Sequence, residues 1–270
     1  MEPPNHLIIV CGHAIWAGGP TKGEYESEWF IEDWKKGETP TYTAHIRAGV
    51  KALSEDDRAV LVLSGGPTVL STPISEGRSY ANLAAANNYW DLLSSESTSA
   101  SEATFSASLF NPLHPLSPMP LHPRVLVEER ALDSYQNILF SIIHFWRSTS
   151  RWPGYLTVVS HQFKRRRLTE AHCTAVAFPL DRVSFVGINP PGVPEVVGRE
   201  QDAVAEWIAD PQGISESLRT KRQGRNKWDV AQTLFYDDEE RAKSGVETIL
   251  LDGGREEILV DGGLRPWGRD

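Results

Sequence analysis

Five short apolar runs, separated by longer mixed segments, dominate the pattern of hydrophobic and polar positions along the chain. Most of these runs are continuously apolar, which is typical of strands buried on both faces of a parallel sheet. The predicted strands cover residues 6–11, 59–64, 124–127, 155–160 and 183–186.

Helical patterns lie between the apolar runs. Ile46, Val50 and Leu53 are spaced i, i+4, i+7, which places them on one face of a first helix. Ser75 and Asp133 precede two further helical patterns and are good N-caps, because their side-chain oxygens can accept hydrogen bonds from first-turn amides.

A fourth helix is predicted to begin near Phe163, and a fifth to run from about residue 195 to residue 210, where Pro211 ends it. Strands that alternate with helices predict right-handed βαβ units. We therefore expect an α/β protein, a Rossmann-like three-layer sandwich with a mostly parallel sheet of about five strands.

Two stretches do not fit this alternation. Residues 94–123 are first Ser-rich and then Pro-rich, which predicts a loop insertion inside the α/β unit. Near the end of the chain, two apolar runs flank Asp252-Gly-Gly and predict a β-hairpin that covers a sheet edge. The predicted organisation is one α/β domain over residues 1–227, with its insertion, and a C-terminal tail over residues 228–270.

Composition and charge narrow the class of protein. The 270 residues are 40% hydrophobic and 23% charged, which excludes wholesale disorder. A net charge of −9 disfavours a general nucleic-acid binder, and no apolar run approaches the roughly 18 residues of a membrane span. Cys11 and Cys173 are far apart and in no metal-binding spacing, so we expect a cytoplasmic protein without membrane or nucleic-acid partners.

Candidate chemistry follows the predicted strands directly. Ligands of open parallel sheets bind outside the carboxyl ends of the strands, and four successive strand ends deliver glycines or reactive polar side chains there. These residues are Gly12 and His13, then Ser64, Gly65 and Gly66, then Glu128, Ser134 and Asn137, and finally Ser160, Lys164, Arg166 and Arg167. We therefore predict a ligand site at this rim of the sheet.

The glycines and the basic run each allow two interpretations. Gly12, Gly65 and Gly66 either form tight turns or bring their backbone amides to an anion. The basic run over residues 164–167 opens a helix, where cations oppose the dipole, so it is either a solvated face or the partner of an anion.

Familiar cofactor and nucleophile motifs are missing from the chain. There is no Walker A spacing, no Gly-x-Gly-x-x-Gly after the first strand and no Gly-x-Ser-x-Gly. A nicotinamide enzyme and a standard α/β-hydrolase serine are therefore disfavoured.

Histidines and carboxylates supply candidate acid/base groups. His13 is either a general acid/base or a core histidine bonded to a carbonyl, whereas His172 is interpreted as structural. Glu76, Glu128 and Glu129 are a candidate carboxylate set for proton transfer or for Mg²⁺, although Glu76 also suits a first helical turn.

Five motifs hold most of these residues in a fixed order. They are Val10-Cys-Gly-His-Ala-Ile-Trp16, Leu63-Ser-Gly-Gly66, Ser75-Glu76, Glu128-Glu-Arg-Ala-Leu-Asp-Ser-Tyr-Gln-Asn137 and Val159-Ser-His-Gln-Phe-Lys-Arg-Arg-Arg167. Together they resemble the YdcF/SanA/ElyC-like family of unknown function over roughly residues 6–226. Ile188-Asn-Pro-Pro191 and Lys221-Arg-Gln-Gly-Arg-Asn226 are similar to its eukaryotic branch.

The resemblance implies a Rossmann-like fold with its ligand site at the same rim. One bacterial member is described as binding S-adenosylmethionine, and others are linked to envelope or lipid-carrier metabolism. Their N-terminal membrane helix is not expected here, so the envelope role does not transfer. The family positions that carry over are Gly12, Ser64, Gly65, Gly66, Glu76, Glu128, Ser134, Asn137, Ser160 and either Arg166 or Arg167.

The sequence departs from the family pattern at two of these motifs. Many members have Ser or Thr where Ala131 stands, and His where Phe163 stands. If that histidine is the family's base, His13 or His172 would have to substitute for it here.

Three hypotheses of function follow. The first is an intracellular hydrolase or transferase acting on a small anionic or nucleotide-like molecule, and the second is a non-catalytic module that binds S-adenosylmethionine or a nucleotide. The third is a scaffold that uses the hairpin and the insertion. In the first, the amides of Gly12, Gly65 and Gly66 hold the anion with Lys164 and Arg167, Ser134 and Asn137 orient it, and His13, Glu76 and Glu128 supply acid/base capacity.

Overall fold

The computed structural model describes residues 2–93, 119–193, 198–263 and 265–267. The strands are β1 (His6–Cys11), β2 (Ile15–Trp16), β3 (Trp29–Phe30), β4 (Ala59–Ser64), β5 (Val125–Glu128), β6 (Tyr155–Ser160), β7 (Val183–Gly187), β8 (Thr248–Leu251) and β9 (Glu256–Leu259). Five of them form a parallel sheet in the order β5-β4-β1-β6-β7. The predicted α/β class and its five parallel strands are confirmed, and each strand lies within one residue of its predicted bounds.

The helices cover the two faces of this sheet. They are α1 (Thr39–Ser54), α2 (Glu76–Ala86), α3 (Ser134–Thr149), α4 (Gly198–Ala209), α5 (Glu216–Arg225) and α6 (Asp238–Ser244). Along β1, Ile8 and Val10 pack in a buried cluster with apolar side chains of α1 and α2, whereas Leu7 and Ile9 pack with those of α3. This alternation explains the continuously apolar strands, because each face of the sheet is covered by helices.

Both predicted N-caps are confirmed. Ser75 Oγ accepts a hydrogen bond from the amide of Arg78 at 2.9 Å, which starts α2. Asp133 Oδ1 accepts one from the amide of Gln136, also at 2.9 Å, which starts α3. These caps satisfy helix-end amides that have no partner within the helix.

The helix predicted near Phe163 is irregular. A 3₁₀ turn over Gln162–Lys164 leads into a π-helical segment, Arg167–Cys173. Such segments are frequent at functional sites, because one extra residue in a turn re-aims the side chains around it. The fifth predicted helix is α4, which ends at Ala209, two residues before Pro211.

The C-terminal tail packs into the core. Strands β8 and β9 form the predicted antiparallel hairpin, but they are not hydrogen-bonded to either edge strand of the main sheet. Leu259 and Trp267 lie in the same buried cluster as α3, and Trp267 Nε1 donates to the carbonyl of Val176 at 2.8 Å. The expected cover of a sheet edge is therefore wrong, and the tail lies on the α3 face instead.

Residues 94–118, most of the predicted insertion, lie outside the described residues. Among the helices that the structure describes, none has the length and apolar character needed to cross a membrane.

The strands end at the same level. Cys11 pairs with Ser64, Ser64 with Glu128, and Ser160 with Gly187. Because all five strands are parallel, the segments that follow them meet along one edge, as the rim hypothesis required.

Candidate functional site

A cavity of about 370 Å³ opens at the carboxyl ends of β1 and β6. The chain passes from β1 outward to β4 and β5, and then returns to the other side of β1 through β6 and β7. The loops after β1 and β6 therefore run in opposite directions and leave a crevice, which is where open α/β sheets bind ligands. Of the predicted site residues, those that line this cavity are Gly12, His13, Glu76, Ser134, Asn137, Ser160, Lys164 and Arg167.

His13 lies at the centre of the cavity wall and contacts three of its elements. Its Nε2 is 3.1 Å from Ser160 Oγ, and its Nδ1 is 3.4 Å from Lys164 Nζ. Its backbone carbonyl accepts a hydrogen bond from Lys35 Nζ at 2.7 Å. Burial, reinforced by the charge of Lys164, lowers the pKa of His13 well below its usual value, so the imidazole is neutral at pH 7.

Lys164 is a buried amine in this wall. Burial and the neighbouring Arg167 guanidinium lower the pKa of Lys164 to about 7. Within the part of the chain that the structure describes, no carboxylate lies at ion-pair distance from its Nζ. A buried ammonium normally requires such a partner, so this group is electrostatically incomplete in the protein alone.

The structure separates the two arginines between which the sequence left a choice. Arg167 lines the cavity and lies 2.9 Å from Glu200 Oε1 through its Nε, an ion pair that lacks hydrogen-bond geometry. Arg166 points to the surface, where its Nε donates to Glu170 at 3.0 Å and both side chains are mostly exposed. The structure therefore does not bring Arg166, a predicted ligand contact, to the cavity, because the helical turn directs it to the surface.

The N-terminus of α3 supplies two hydrogen-bonding side chains. Ser134 Oγ is 2.8 Å from His172 Nε2, and Asn137 Oδ1 is 3.0 Å from Ser64 Oγ. Burial lowers the pKa of His172 well below its usual value, and its Nδ1 has no hydrogen-bond partner among the described residues. An orphaned lone pair is better tolerated than an orphaned N–H. His172 Nε2 therefore donates to Ser134, whose own hydroxyl proton is free to point into the cavity.

Glu76 is the carboxyl group of the predicted catalytic set that reaches the cavity. Its Oε1 accepts a hydrogen bond from Thr68 at 2.8 Å. Burial raises the pKa of Glu76, because the charged form loses its hydration, although Lys35 partly opposes this effect. Glu76 and His13 are thus brought to one cavity, as the enzyme hypothesis requires.

The amides of the three predicted ligand-binding glycines have hydrogen-bond partners within the fold. The amide of Gly12 donates to Ser64 O at 2.7 Å, that of Gly65 to Glu128 O at 3.1 Å, and that of Gly66 to Ala131 O at 2.6 Å. Each amide is therefore already used within the fold, and Gly65 and Gly66 do not line the cavity.

Packing explains why glycine stands at two of these positions. A Cβ atom on Gly12 would lie 2.6 Å from Glu76 Cβ, and one on Gly65 would lie 2.9 Å from the same atom. Gly65 also has a φ of +154°, which side-chain-bearing residues rarely adopt. The glycines let Glu76 approach the strand ends.

Ser64 and Glu128 lie behind the cavity rather than in its lining. Glu128 is buried, and it accepts hydrogen bonds from Ser64 Oγ at 2.9 Å and from the amides of Arg130 at 2.7 Å and Ala131 at 3.1 Å. Burial raises its pKa. The structure therefore does not bring the predicted catalytic Glu128 and the predicted ligand contact Ser64 to the cavity, and both side chains instead hold the loop between β5 and α3.

Glu128 and Glu129 point in different directions, so the predicted set of Glu76, Glu128 and Glu129 does not form. Glu129 accepts a hydrogen bond from Ser75 Oγ at 2.9 Å and pairs with Arg78 at 3.1 Å on the surface. In the described part of the chain, no group of three His, Cys, Asp or Glu side chains is placed to hold a metal ion.

Sequence reasoning missed His161, which directly follows β6 and lines the cavity. The side chain is 3% exposed, and neither ring nitrogen has a hydrogen-bond partner among the described residues. Its ring centroid is 4.4 Å from that of His13, and it stacks on Phe163 at 4.9 Å. Applying the strand-end rule to every polar residue would have found it, because it stands one position after the strand.

The mouth of the cavity is formed by a segment that the sequence analysis did not single out. Trp34 lines it while remaining 73% exposed, and the Lys35 ammonium lies 4.9 Å from the centroid of its ring. On the inner side, burial raises the pKa of the Cys11 thiol to about 12, so this cysteine is not a thiolate nucleophile.

Comparison with known proteins gives one relative and no assignment of function. No family model matches the chain, and no solved structure matches it. The chain is 23% identical to the uncharacterized protein YOR238W of Saccharomyces cerevisiae over 299 aligned residues, which span 92% of this chain and 93% of the yeast protein. The similarity therefore extends over nearly the whole of both chains.

Proposed function

We propose that this protein is an enzyme that binds a small anionic, phosphate-bearing or nucleotide-like molecule in the cavity and hydrolyses it or transfers a group from it. The observation that carries the proposal is Lys164, a buried amine that faces the cavity with no carboxylate at ion-pair distance among the described residues. With a pKa of about 7, Lys164 is protonated in about half of the molecules at pH 7, and this buried ammonium is costly unless an anion compensates it. A bound anion completes the electrostatics that the fold leaves open.

The groups around Lys164 suit an anion rather than a cation. Arg167 adds a second positive charge whose Nε makes no hydrogen bond, and the hydroxyl of Ser134 is free to donate. Charge-assisted hydrogen bonds of this kind are about twice as strong as neutral ones. Phosphate, with several acceptor oxygens, matches such a set of donors.

The enzyme hypothesis is favoured over a binding module because acid/base groups meet the anion-binding groups in one cavity. His13 is neutral at pH 7, and burial raises the pKa of Glu76, so one group can accept a proton and the other can retain one. A carrier or sensor has no need of this pairing.

Two broader assignments belong to the same proposal. The five ordered motifs support placing the chain in the YdcF/SanA/ElyC-like family, in its eukaryotic branch. A cytoplasmic location is supported by Cys11 and Cys173, which are buried free thiols rather than a disulfide.

The test is a thermal-shift and calorimetric titration with inorganic phosphate, adenosine monophosphate and S-adenosylmethionine as probes. A probe at 100 times its Kd adds about 2.7 kcal/mol to the free energy of unfolding. Because a hydrogen bond to a charged group contributes about 1.5 to 3 kcal/mol, Arg167→Met is expected to weaken phosphate binding by a factor of about 10 to 100.

Arg166→Met is the matched control, since it removes the neighbouring guanidinium from the surface and leaves the cavity unchanged. Equal losses in the two variants would show that binding is not in the cavity. A response to S-adenosylmethionine alone would favour the non-catalytic module. No response to phosphate or the nucleotide would contradict the proposal.

A further inference from the structure

We propose that Ser160 is a nucleophile whose proton passes through His13 to the amine of Lys164, and that the enzyme forms a phosphoseryl intermediate at Ser160. This inference rests on the function proposed above, from which it takes a phosphate ester as substrate. It goes further by naming the nucleophile, the base and the intermediate.

The geometry is a continuous chain of three groups along the cavity wall. Ser160 Oγ is 3.1 Å from His13 Nε2, and His13 Nδ1 is 3.4 Å from Lys164 Nζ. All three residues line the cavity, at the ends of the adjacent strands β1 and β6. A nucleophile bonded to a base that is itself oriented by a third group is the general arrangement for an activated serine. Here the third group is an amine instead of a carboxylate.

An amine can act as this third group only in its uncharged form, which is able to accept a proton. The charged and titratable groups that interact with Lys164 include Cys11, His13, Lys35, His45, His161, Arg167 and Glu200. Burial and the like charge of Arg167 outweigh the attraction of Glu200, which lowers the pKa of Lys164 to about 7. A substantial fraction of free amine is thus present at neutral pH.

Proton transfer along this chain of three groups, the relay, keeps His13 neutral throughout. A charged imidazole would be costly at this buried position. The free amine accepts the proton on His13 Nδ1 while His13 Nε2 accepts the proton of Ser160. The imidazole thereby changes tautomer and never becomes a buried cation beside Lys164 and Arg167. The strongly lowered pKa of His13, which makes the imidazole a weak base by itself, is compatible with this role.

The reaction balances in two steps. Ser160 Oγ forms a bond to phosphorus as the P–O bond to the alcohol breaks, and the serine proton travels through the relay to the leaving oxygen. A water molecule then attacks the phosphoserine, loses a proton to the relay, and releases inorganic phosphate while Ser160 regains its proton. The sum is hydrolysis of a phosphate ester by water, with the enzyme unchanged.

The second serine–histidine pair of the cavity provides an internal comparison. Ser134 Oγ is 2.8 Å from His172, closer than Ser160 is to His13. However, the far nitrogen of His172 has no hydrogen-bond partner among the described residues, so no group stands behind it to take a proton. His172 would have to become a buried cation near Arg167, which its lowered pKa opposes.

The experiment uses an alkyl fluorophosphonate probe on the full chain, with the labelled residue located by mass spectrometry. Attack by Ser160 forms an O–P bond and expels fluoride, while the proton remains on Lys164. We expect one label, at Ser160, with a rate that rises as the pH increases through about 7. Ser160→Ala should abolish labelling, and Ser184→Ala, a control at an exposed position of β7 outside the cavity, should retain it. Since general base catalysis contributes 10²- to 10⁴-fold, Lys164→Met should slow labelling at least about 100-fold and remove the pH dependence.

A label at Ser134 or elsewhere, or a pH-independent rate, would overturn the inference. Thermal shift with inorganic phosphate separates its failure from that of the proposed function. A phosphate response without labelling contradicts only the nucleophile, whereas the loss of both contradicts the anion-binding enzyme as well. The pH profile of the unmodified protein keeps the test valid even if a variant does not fold.

Discussion

The two halves of the rim are built from similar residue types but differ in how their polar groups are satisfied. On the β4 and β5 side, the amides of Gly65 and Gly66 and the carboxyl of Glu128 all have partners within the fold. On the β6 side, His161 has no hydrogen bond and Lys164 has no carboxylate, among the described residues. Hydrogen-bond accounting therefore separates the half of the rim whose polar groups have partners within the fold from the half that leaves polar groups without them.

We call the β4 and β5 side of the rim the closed half and the β6 side the open half. The closed half holds the open half in place. Glu128 holds the loop that leads from β5 into α3, and Asp133 in that loop caps the helix. Asp133 also accepts from the buried Arg222 of α5 at 2.6 Å. The N-terminus of α3, with Ser134 and Asn137, is thereby held against the cavity.

The largest expected effect concerns the open half. Lys164→Met should lose a pH dependence that the unmodified protein has. The pKa of Lys164 is about 7 in the native state and ordinarily 10.5. Between these pH values the unfolded chain therefore holds a proton that the native state lacks. Stability of the unmodified protein therefore rises with pH there, relative to the variant, by about 1.4 kcal/mol per pH unit.

Urea unfolding of both proteins between pH 7.5 and 9.5 measures this difference, which amounts to about 3 kcal/mol over the range. Other titrating groups are common to the two proteins and cancel. Parallel stability curves would mean that Lys164 is not desolvated, and the contrast between the two halves would fail.

On the closed half, Gly65→Ala is expected to cost about 3 kcal/mol, because it adds strain at a φ of +154° to a clash with Glu76. Gly224→Ala is the control, since a Cβ atom there meets nothing within 4 Å and alanine favours the helix. Denaturant midpoints should move in opposite directions for the two variants. A neutral Gly65→Ala would show that Glu76 does not pack against the strand end.

Glu128→Gln separates support from ligand contact. The glutamine side chain would place an N–H donor against a backbone N–H that donates to the carboxylate in the unmodified protein. We expect this to lower the free energy of unfolding by about 1 to 3 kcal/mol. The Kd for phosphate should not change, because Glu128 does not line the cavity. Calorimetry at a temperature where the variant is folded checks this, and weaker binding by more than threefold would place Glu128 in the site.

The smallest effect is expected for the neighbouring glutamate. Glu129 makes an exposed ion pair with Arg78, so Glu129→Gln should cost only about 0.2 to 1 kcal/mol. Thermal unfolding compares it directly with Glu128→Gln. Similar costs for the two variants would contradict the assignment of the two glutamates to different environments.

Much of the fold followed from local signals. Buried parallel strands must be apolar on both faces, and free helix amides favour Ser75 and Asp133 as caps. These preferences act over a few residues, which is why strand bounds were predicted within one position. The irregular turn after β6 was not predictable in this way, since a π-helical segment depends on what the side chains pack against.

The site was predicted only in outline. His13, Glu76, Ser134, Asn137, Ser160, Lys164 and Arg167 do reach one cavity. Ser64, Gly65, Gly66 and Glu128 have the same kinds of chemistry, but their hydrogen bonds are made to one another and to other groups of the fold. Arg166 differs from Arg167 only by the direction of one helical turn. Such differences depend on partners far away in the chain.

The sequence alone determined the α/β class, the order of strands and helices, and the edge of the sheet at which polar groups gather, because apolar periodicity and capping are local. Only the tertiary structure decided which of those groups remain without partners. Desolvation and hydrogen bonding depend on everything packed around a side chain. Lys164 became an amine with a pKa of about 7, and His13 became its link to Ser160, because strands and helices from distant parts of the chain enclose them.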